Sequence, residues 1–384
     1  VCREIINLKA ILNLPKGTEH FMTDIHGEYE AFYHIMNNAA GVIKEKVDMI
    51  FAACMTPKER QEVCTLVYYP IEKLKLLKKQ HLLTPQWYKT TLKNLTELAK
   101  FLSSKYTRSK VRKALPAEFS YIIDELLHAQ QDEDNNQYVY HEKILDTIID
   151  IDSADAFIEA LSKLIKHLAV DHLHIVGDIY DRGPNADKIM DLLISHHSVD
   201  IEWGNHDILW MGAACGNEAC IANVLRNNLK YDNIEILENT YAISLRSLTL
   251  FAEQTYPDLP PMEAALKAIS VILFKLEGQI ILRHPEYDMA DRLLLDKIDK
   301  MRGVVKIGAQ EYQLKDCYFP TLKENDAYTL SVEEQQVIEE LRTAFVNSHM
   351  LRKHVRFLYE KGSTYLCYNG NLLFHGCIPM TEDG

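Results

Sequence analysis

The chain has 384 residues, 47% of them hydrophobic and 25% charged, with a formal net charge of −13. That composition is ordinary for a globular protein with a large core, and the length allows two or three domains; no apolar run reaches the ~18 residues of a transmembrane helix. The acidic balance argues against a nucleic-acid backbone as the main partner, because phosphate contacts need positive surface, while a small phosphorylated substrate stays compatible where metal ions supply local positive charge.

In chain order, residues 1–10 contain acidic and polar residues, show no signal-peptide pattern and start without Met, which reads as an excerpt or a processed chain. Residues 15–28 predict loop, strand and loop. Residues 29–168 predict helices broken near Pro57, Pro70, Pro85 and Pro116, with apolar residues such as Leu92, Leu95, Leu98 and Leu102 at helical spacing. Asp152-Ser153-Ala154-Asp155 predicts a cap before a helix over 156–167. A buried strand follows over 172–178, then a helix over 185–195 and a second strand over 198–203, the order of an α/β layer. A second, largely helical stretch covers 208–361 and includes helices over 262–282 and 332–359. Residues 365–368 and 371–375 flank Asn369-Gly370, a two-residue hairpin signal that delivers His375-Gly376 at its far end. The expected organisation is a discontinuous core of 1–30, 169–215 and 362–384, interrupted by helical insertions at 31–168 and 216–361.

Four short motifs carry chemistry, and their order says more than any one of them. In Asp24-Ile25-His26-Gly27, a carboxylate and an imidazole two residues apart on an extended backbone point the same way and suit one metal; a lone pair of this kind is more often structural. Gly177-Asp178-Ile179-Tyr180-Asp181-Arg182-Gly183 follows an apolar strand, where α/β proteins place ligand sites. Its glycines let the backbone turn close to a ligand, Asp178 can bridge two cations with its two oxygens, and Arg182 offers a planar fork to phosphate. The bland alternative is a surface turn with a salt bridge. Gly204-Asn205-His206-Asp207 also follows a strand. Asn205 offers an amide oxygen to a hard cation, and His206 can act as a general acid if a carboxylate orients it; the bland alternative is a polar turn. His375-Gly376-Cys377 gains weight only from coming after the other three.

In this order the motifs resemble the calcineurin-like metallophosphoesterase superfamily, which includes serine/threonine protein phosphatases and diadenosine tetraphosphatases. The stretches Phe21-Met22-Thr23-Asp24-Ile25-His26-Gly27-Glu28-Tyr29-Glu30, Gly177 to Pro184, Trp203-Gly204-Asn205-His206-Asp207 and Phe374-His375-Gly376-Cys377-Ile378-Pro379-Met380 are similar to the class III fructose-1,6-bisphosphatases of Firmicutes. The separation of about 150 residues between the first two motifs agrees with that family, and the protein phosphatases keep them closer.

The resemblance covers the whole chain and implies an α/β fold, a metallophosphoesterase αββα sandwich with large helical insertions. It implies that Asp24, His26 and Asp178 hold one metal and that Asp178, Asn205 and His375 hold another. The metal is expected to be Mn²⁺, and an oxygen and nitrogen donor set without thiolate also suits Mg²⁺, Fe or Zn²⁺. A hydroxide bridging the metals would attack phosphorus in line with the leaving group. Arg182 would offset phosphoryl charge, and His206, oriented by Asp181, would protonate the leaving sugar oxygen. The expected reaction is cytoplasmic hydrolysis of fructose 1,6-bisphosphate to fructose 6-phosphate in gluconeogenesis. One departure is that the superfamily pattern ends with a further Gly-His supplying another ligand, and family chains are longer. The sequence therefore reads as a fragment with an incomplete metal site.

Eight cysteines, at 2, 54, 64, 215, 220, 317, 367 and 377, lack framework spacing and read as reduced thiols of a cytosolic protein. Between Lys58 and Lys113 basic residues outnumber acidic ones, most densely at Lys105 to Lys113. The bland reading is a solvated helix face. The sharper one makes Arg108, Lys110, Arg112 and Lys113 a site for a phosphorylated effector or the substrate's second phosphate, and the resemblance supports effectors such as AMP and phosphoenolpyruvate. The competing readings are a phosphatase of phosphoproteins or dinucleoside polyphosphates, and a non-catalytic piece lacking its last ligand. Oligomeric state, a homo-oligomer included, stays open.

Overall fold

The structure, a computed structural model, describes residues 1–129, 135–377 and 380–381. Ile378 and Pro379 of the terminal motif lie outside the described residues, as do 130–134 of the first insertion and 382–384 of the last core segment. The described residues form an α/β protein with strands β1 Glu19–Met22, β2 His172–Val176, β3 Val199–Glu202, β4 Ile298–Asp299, β5 Val304–Ile307, β6 Gln310–Gln313, β7 Gly362–Ser363, β8 Tyr365–Tyr368 and β9 Asn371–Phe374. The sheets run in the orders β1-β2-β3-β7, β4-β5-β6 and β8-β9. The chain divides into two compact units: 1–22, 30–174 and 196–199 form one, and 23–29, 175–195 and 200–384 form the other.

The first unit is mainly helical. Its prolines open helices: Pro57–Tyr68, Pro70–Lys79 and Pro85–Ser103 each carry Pro in the first turn, where the missing N–H has no helical partner to lose. Thr56 caps the first of these in a capping box, its N–H donating to Glu59 Oε2 at 2.7 Å. Leu92, Leu95, Leu98 and Leu102 line the buried face of Pro85–Ser103 and pack with Leu161 and Ile165 of Ala154–Ala169 in one apolar cluster. That last helix starts two residues before the expected 156. Ser153 stands at its N-cap without a side-chain bond, because φ −100°, ψ 5° is not the extended conformation in which a capping oxygen reaches back.

In the second unit β3 pairs parallel with β7, Ile201 opposite Gly362 and Glu202 opposite Ser363. The expected single helix over 332–359 is two, Val332–Asn347 and His349–Lys361, separated by Ser348. The Ser348 hydroxyl accepts from Leu351 N at 3.3 Å and donates to Tyr241 O at 2.7 Å, so it starts the second helix and anchors it. The largely helical stretch also contains the antiparallel β4-β5-β6 sheet. The β8-β9 hairpin turns through Asn369 and Gly370 at φ 47° and 84°, the positive pair that a type I′ turn requires. No helix among the described residues is long and apolar enough to cross a membrane.

Candidate metal centre and active site

All four motif loops belong to the second unit. Asp24 N donates to Gly177 O at 3.2 Å, His26 N to Asp178 O at 2.8 Å and Gly27 N to Ile179 O at 2.9 Å, so the first two loops are laced together through backbone. The extended backbone expected at Asp24 and His26 is not what forms. β1 ends at Met22, and both residues adopt left-handed φ, 53° and 51°, around the buried Ile25. Asp178 is also left-handed at φ 53°. Such conformations cost on the order of 1 kcal/mol or more for a side-chain-bearing residue and cluster where the side chain has a task.

The side chains converge on one carboxylate oxygen. Asp178 is 5% exposed; its Oδ1 accepts His206 N at 3.1 Å, so Oδ2 is the atom that faces both imidazoles. His26 Nε2 lies 3.7 Å and His375 Nε2 3.4 Å from Asp178 Oδ2, and His26 Nε2 is 3.5 Å from Asp24 Oδ1. These separations are too long for good hydrogen bonds, and His26 Nε2 is buried without a hydrogen-bond partner among the described residues. Ligand atoms of Asp24, Asp178 and His375 all lie within 4.8 Å of one another. An orphaned imidazole nitrogen aimed at two carboxylates fits a shared cation. His375 Nδ1 sits 3.0 Å from Val176 O, a partner that leaves the Nε2 lone pair directed at Asp178.

Two glycines make this approach possible. A Cβ on Gly177, at φ 80°, would overlap the His375 ring, and one on Gly204 would overlap the Asp178 carboxylate. Asn205, His206 and Asp207 do not form the polar turn that is their bland reading; they are the first turn of the helix Asn205–Ala214. Asn205 is exposed between Gly204 and His206, the two residues that pack on Asp178. His206 Nε2 lies 3.3 Å from Asp181 Oδ1, and Arg182 Nε donates to Asp181 Oδ2 at 3.1 Å.

The family described as Firmicute fructose-1,6-bisphosphatase matches residues 1–384. The chain belongs to this family. It is 53% identical to the "Fructose-1,6-bisphosphatase class 3 1" of Clostridium beijerinckii, over 99% of the chain and 60% of that relative. It is 52% identical to the class 3 protein of Clostridium novyi, over 99% of the chain and 60% of the relative, and 51% identical to that of Listeria innocua, over 99% and 61%. The chain thus spans about three fifths of the length of these curated relatives. No solved structure matches it.

Within this family member, three residues that sequence reasoning passed over hold the site. Asp207 is fully buried; its Oδ1 accepts Ile179 N at 3.0 Å and Tyr180 N at 3.1 Å, and its Oδ2 accepts Gly204 N at 3.0 Å, tying the second and third motif loops together. Burial lifts its carboxyl to about 6 against the pull of those donors. Gly at an N-cap with Asp three residues on is the one signal that could have found it. Asn227 Nδ2 donates to Asp181 Oδ1 at 3.1 Å, and Asn233 donates to Arg182 O.

The basic stretch belongs to the first unit, on the helix Arg108–Ala114. Lys110 pairs with Asp171, and its ammonium lies 4.9 Å from the Tyr106 ring centroid. Arg112 Nη2 sits 3.0 Å from Asp124 Oδ2. Arg108 and Lys113 have no ion-pair partner among the described residues. Half of the four cations are therefore already neutralised.

Proposed function

We propose that this chain carries the catalytic centre of a metal-dependent fructose-1,6-bisphosphatase that releases phosphate from fructose 1,6-bisphosphate in cytoplasmic gluconeogenesis. The observation that supports it is the convergence of Asp24, His26 and His375 on Asp178, with His26 Nε2 left without a hydrogen bond among the described residues, in a member of this family. The two-sheet metallophosphoesterase sandwich is part of the same reading. Asp24, His26 and Asp178 are the residues for one cation, and Asp178, Asn205 and His375 for the other. The donor set suits Mn²⁺, with Mg²⁺, Fe or Zn²⁺ also compatible. Divalent cations supply the charge that acidifies an attacking water and neutralises phosphoryl oxygens.

The chain's own groups do the rest. Arg182 is exposed with its Nε bound to Asp181 and its Nη2 3.4 Å from His26 Nδ1, leaving Nη1 for a phosphoryl oxygen. Asp181 steadies His206, which hands a proton to the departing sugar oxygen. No side-chain nucleophile is needed, so no phosphoenzyme forms. Arg108 and Lys113, without ion-pair partners among the described residues, keep the helix Arg108–Ala114 a candidate for phosphorylated effectors such as AMP or phosphoenolpyruvate.

The test is phosphate release by the purified chain with Mn²⁺ from a panel of fructose 1,6-bisphosphate, a phosphopeptide and diadenosine tetraphosphate. The bisphosphate should be turned over at least about a hundredfold faster than the others, and Asp178→Asn should remove at least about a thousandfold of that rate and lower metal content per chain. Equal turnover of the three esters, or bound metal without turnover, overturns the reading.

A further inference from the structure

The second unit contains a cavity of about 950 Å³ between the helix Pro261–Arg283 and the β4-β5-β6 sheet. Val271, Phe274 and Ile281 form the helix wall, and Ile298, Val305 and Leu314 the opposite one. Protein cores are close-packed, with few voids larger than a water. A largely apolar space of this volume, with a few polar groups on its wall, has the dimensions and chemistry of a small-molecule site.

The polar groups differ in what they leave open. Lys267 and Asp316 are satisfied by each other, and the Lys267 ammonium also lies 4.6 Å from the Tyr256 ring centroid and 5.2 Å from that of Phe319. Glu277 is half-buried on the cavity wall, and among the described residues it has neither a hydrogen-bond donor nor an ion-pair partner. Arg226 and Arg292 act on it only from a distance, the Arg226 guanidinium lying 5.8 Å from the Phe274 ring centroid. Burial pushes the Glu277 carboxyl above its usual range, as it does for a group short of donors. With the Lys267–Asp316 pair set aside, Glu277 and Asp291 outweigh Arg292 on the lining, which disfavours an anionic guest.

We propose that this cavity binds a small amphipathic molecule, its apolar body held between helix and sheet and a hydrogen-bond-donating head, hydroxyl or ammonium, set on Glu277. The proposal is independent of the phosphatase reading, since none of its residues belongs to the motif loops.

The experiment titrates the whole chain with the uncharged dye Nile red and then displaces the dye with decan-1-ol, decylammonium and decanoate, which share one tail. A single saturable dye site is expected, with the alcohol and the amine displacing dye at least about tenfold more tightly than the acid. Ile307 lines the cavity and is 44% exposed, so Ile307→Trp places an indole in the opening without disturbing the core. It should weaken dye binding at least about tenfold at an unchanged melting temperature. Should that variant not fold, Phe274→Ser, at a position 43% exposed, serves the same purpose. Glu277→Gln should keep the dye site and abolish the preference for amine over acid. Dye binding that does not saturate, or that survives the wall variants unchanged, overturns the site. Equal displacement by the three competitors overturns the role of Glu277.

Discussion

Asp181 serves four neighbours with two oxygens. Oδ1 faces His206 Nε2 at 3.3 Å and Asn227 Nδ2 at 3.1 Å, while Oδ2 faces Arg182 Nε at 3.1 Å and His26 Nδ1 at 3.4 Å. Asn227 comes from the helix Glu218–Lys230 and is the one amide donor in the set, so it fixes the carboxylate without itself titrating. It is a positioning residue. On the proposed phosphatase reading, Asn227→Ala should lower kcat by about tenfold to a hundredfold, the usual effect of removing such a support, and leave KM for the proposed bisphosphate substrate within about twofold. A lower melting temperature with unchanged kcat would assign Asn227 to folding alone. Asp24, His26 and Asp178, which the fold brings together, stood out in the sequence because Asp-x-His and the Gly-Asp-x-x-Asp-Arg-Gly loop pack their chemistry into contiguous residues. Asn227 did not, because an asparagine on an amphipathic helix announces nothing until the fold brings it to a carboxylate 46 residues away.

At the scale of elements, the second motif loop is held from below by a buried polar chain. Tyr180 Oη lies 3.0 Å from Tyr241 Oη, Tyr241 Oη lies 3.0 Å from His354 Nδ1, and His354 Nε2 lies 3.4 Å from Asp191 Oδ1. The Trp210 ring stacks on Tyr180 at 4.7 Å between centroids, so the tyrosine is fixed by packing as well as by its hydroxyl. Tyr241→Phe keeps the volume but strands the Tyr180 hydroxyl and the His354 nitrogen in the core. It should cost about 1–3 kcal/mol in urea unfolding with an unchanged m-value. A cost below about 0.5 kcal/mol would mean that the chain contributes no stability. Elements with strong local signals were readable in advance: the Asn369-Gly370 hairpin and the strands that end in motif loops. The β4-β5-β6 sheet was not, because its strands have two to four residues and Gln310–Gln313 is exposed throughout, leaving no apolar alternation to detect. The first turn of Asn205–Ala214 was hidden because Gly-Asn-His-Asp has the composition of a turn.

Across the whole molecule, the boundaries of the two compact units were invisible in the sequence because one of them, His174/Ile175, falls inside β2, where no change of composition marks it. A different whole-molecule property, stability as a function of pH, follows from one residue of that sheet, at the end of β3. Glu202 is 1% exposed, and among the described residues neither of its carboxylate oxygens has a hydrogen-bond partner. Burial first, and the neighbouring charge of Asp200 second, push its carboxyl from 4.5 up to about 7. Folding therefore favours the protonated form. The stability this confers is fully present below the unfolded value and is lost as pH rises through about 7, a swing on the order of 3 kcal/mol. Glu202→Gln replaces the carboxyl with a neutral group of the same shape, so it should match the wild type at about pH 4 and exceed it by about 1–3 kcal/mol at about pH 8. Trp203 and Trp210 lie in the same unit as Glu202 and Trp87 in the other, so urea titrations read by fluorescence in a Trp87→Phe background follow the unit that matters. Every other ionisable group is common to both proteins, so its contribution cancels in the difference. A gap between variant and wild type that stays constant from acid to alkaline pH would show that Glu202 does not change its charge in the folded protein.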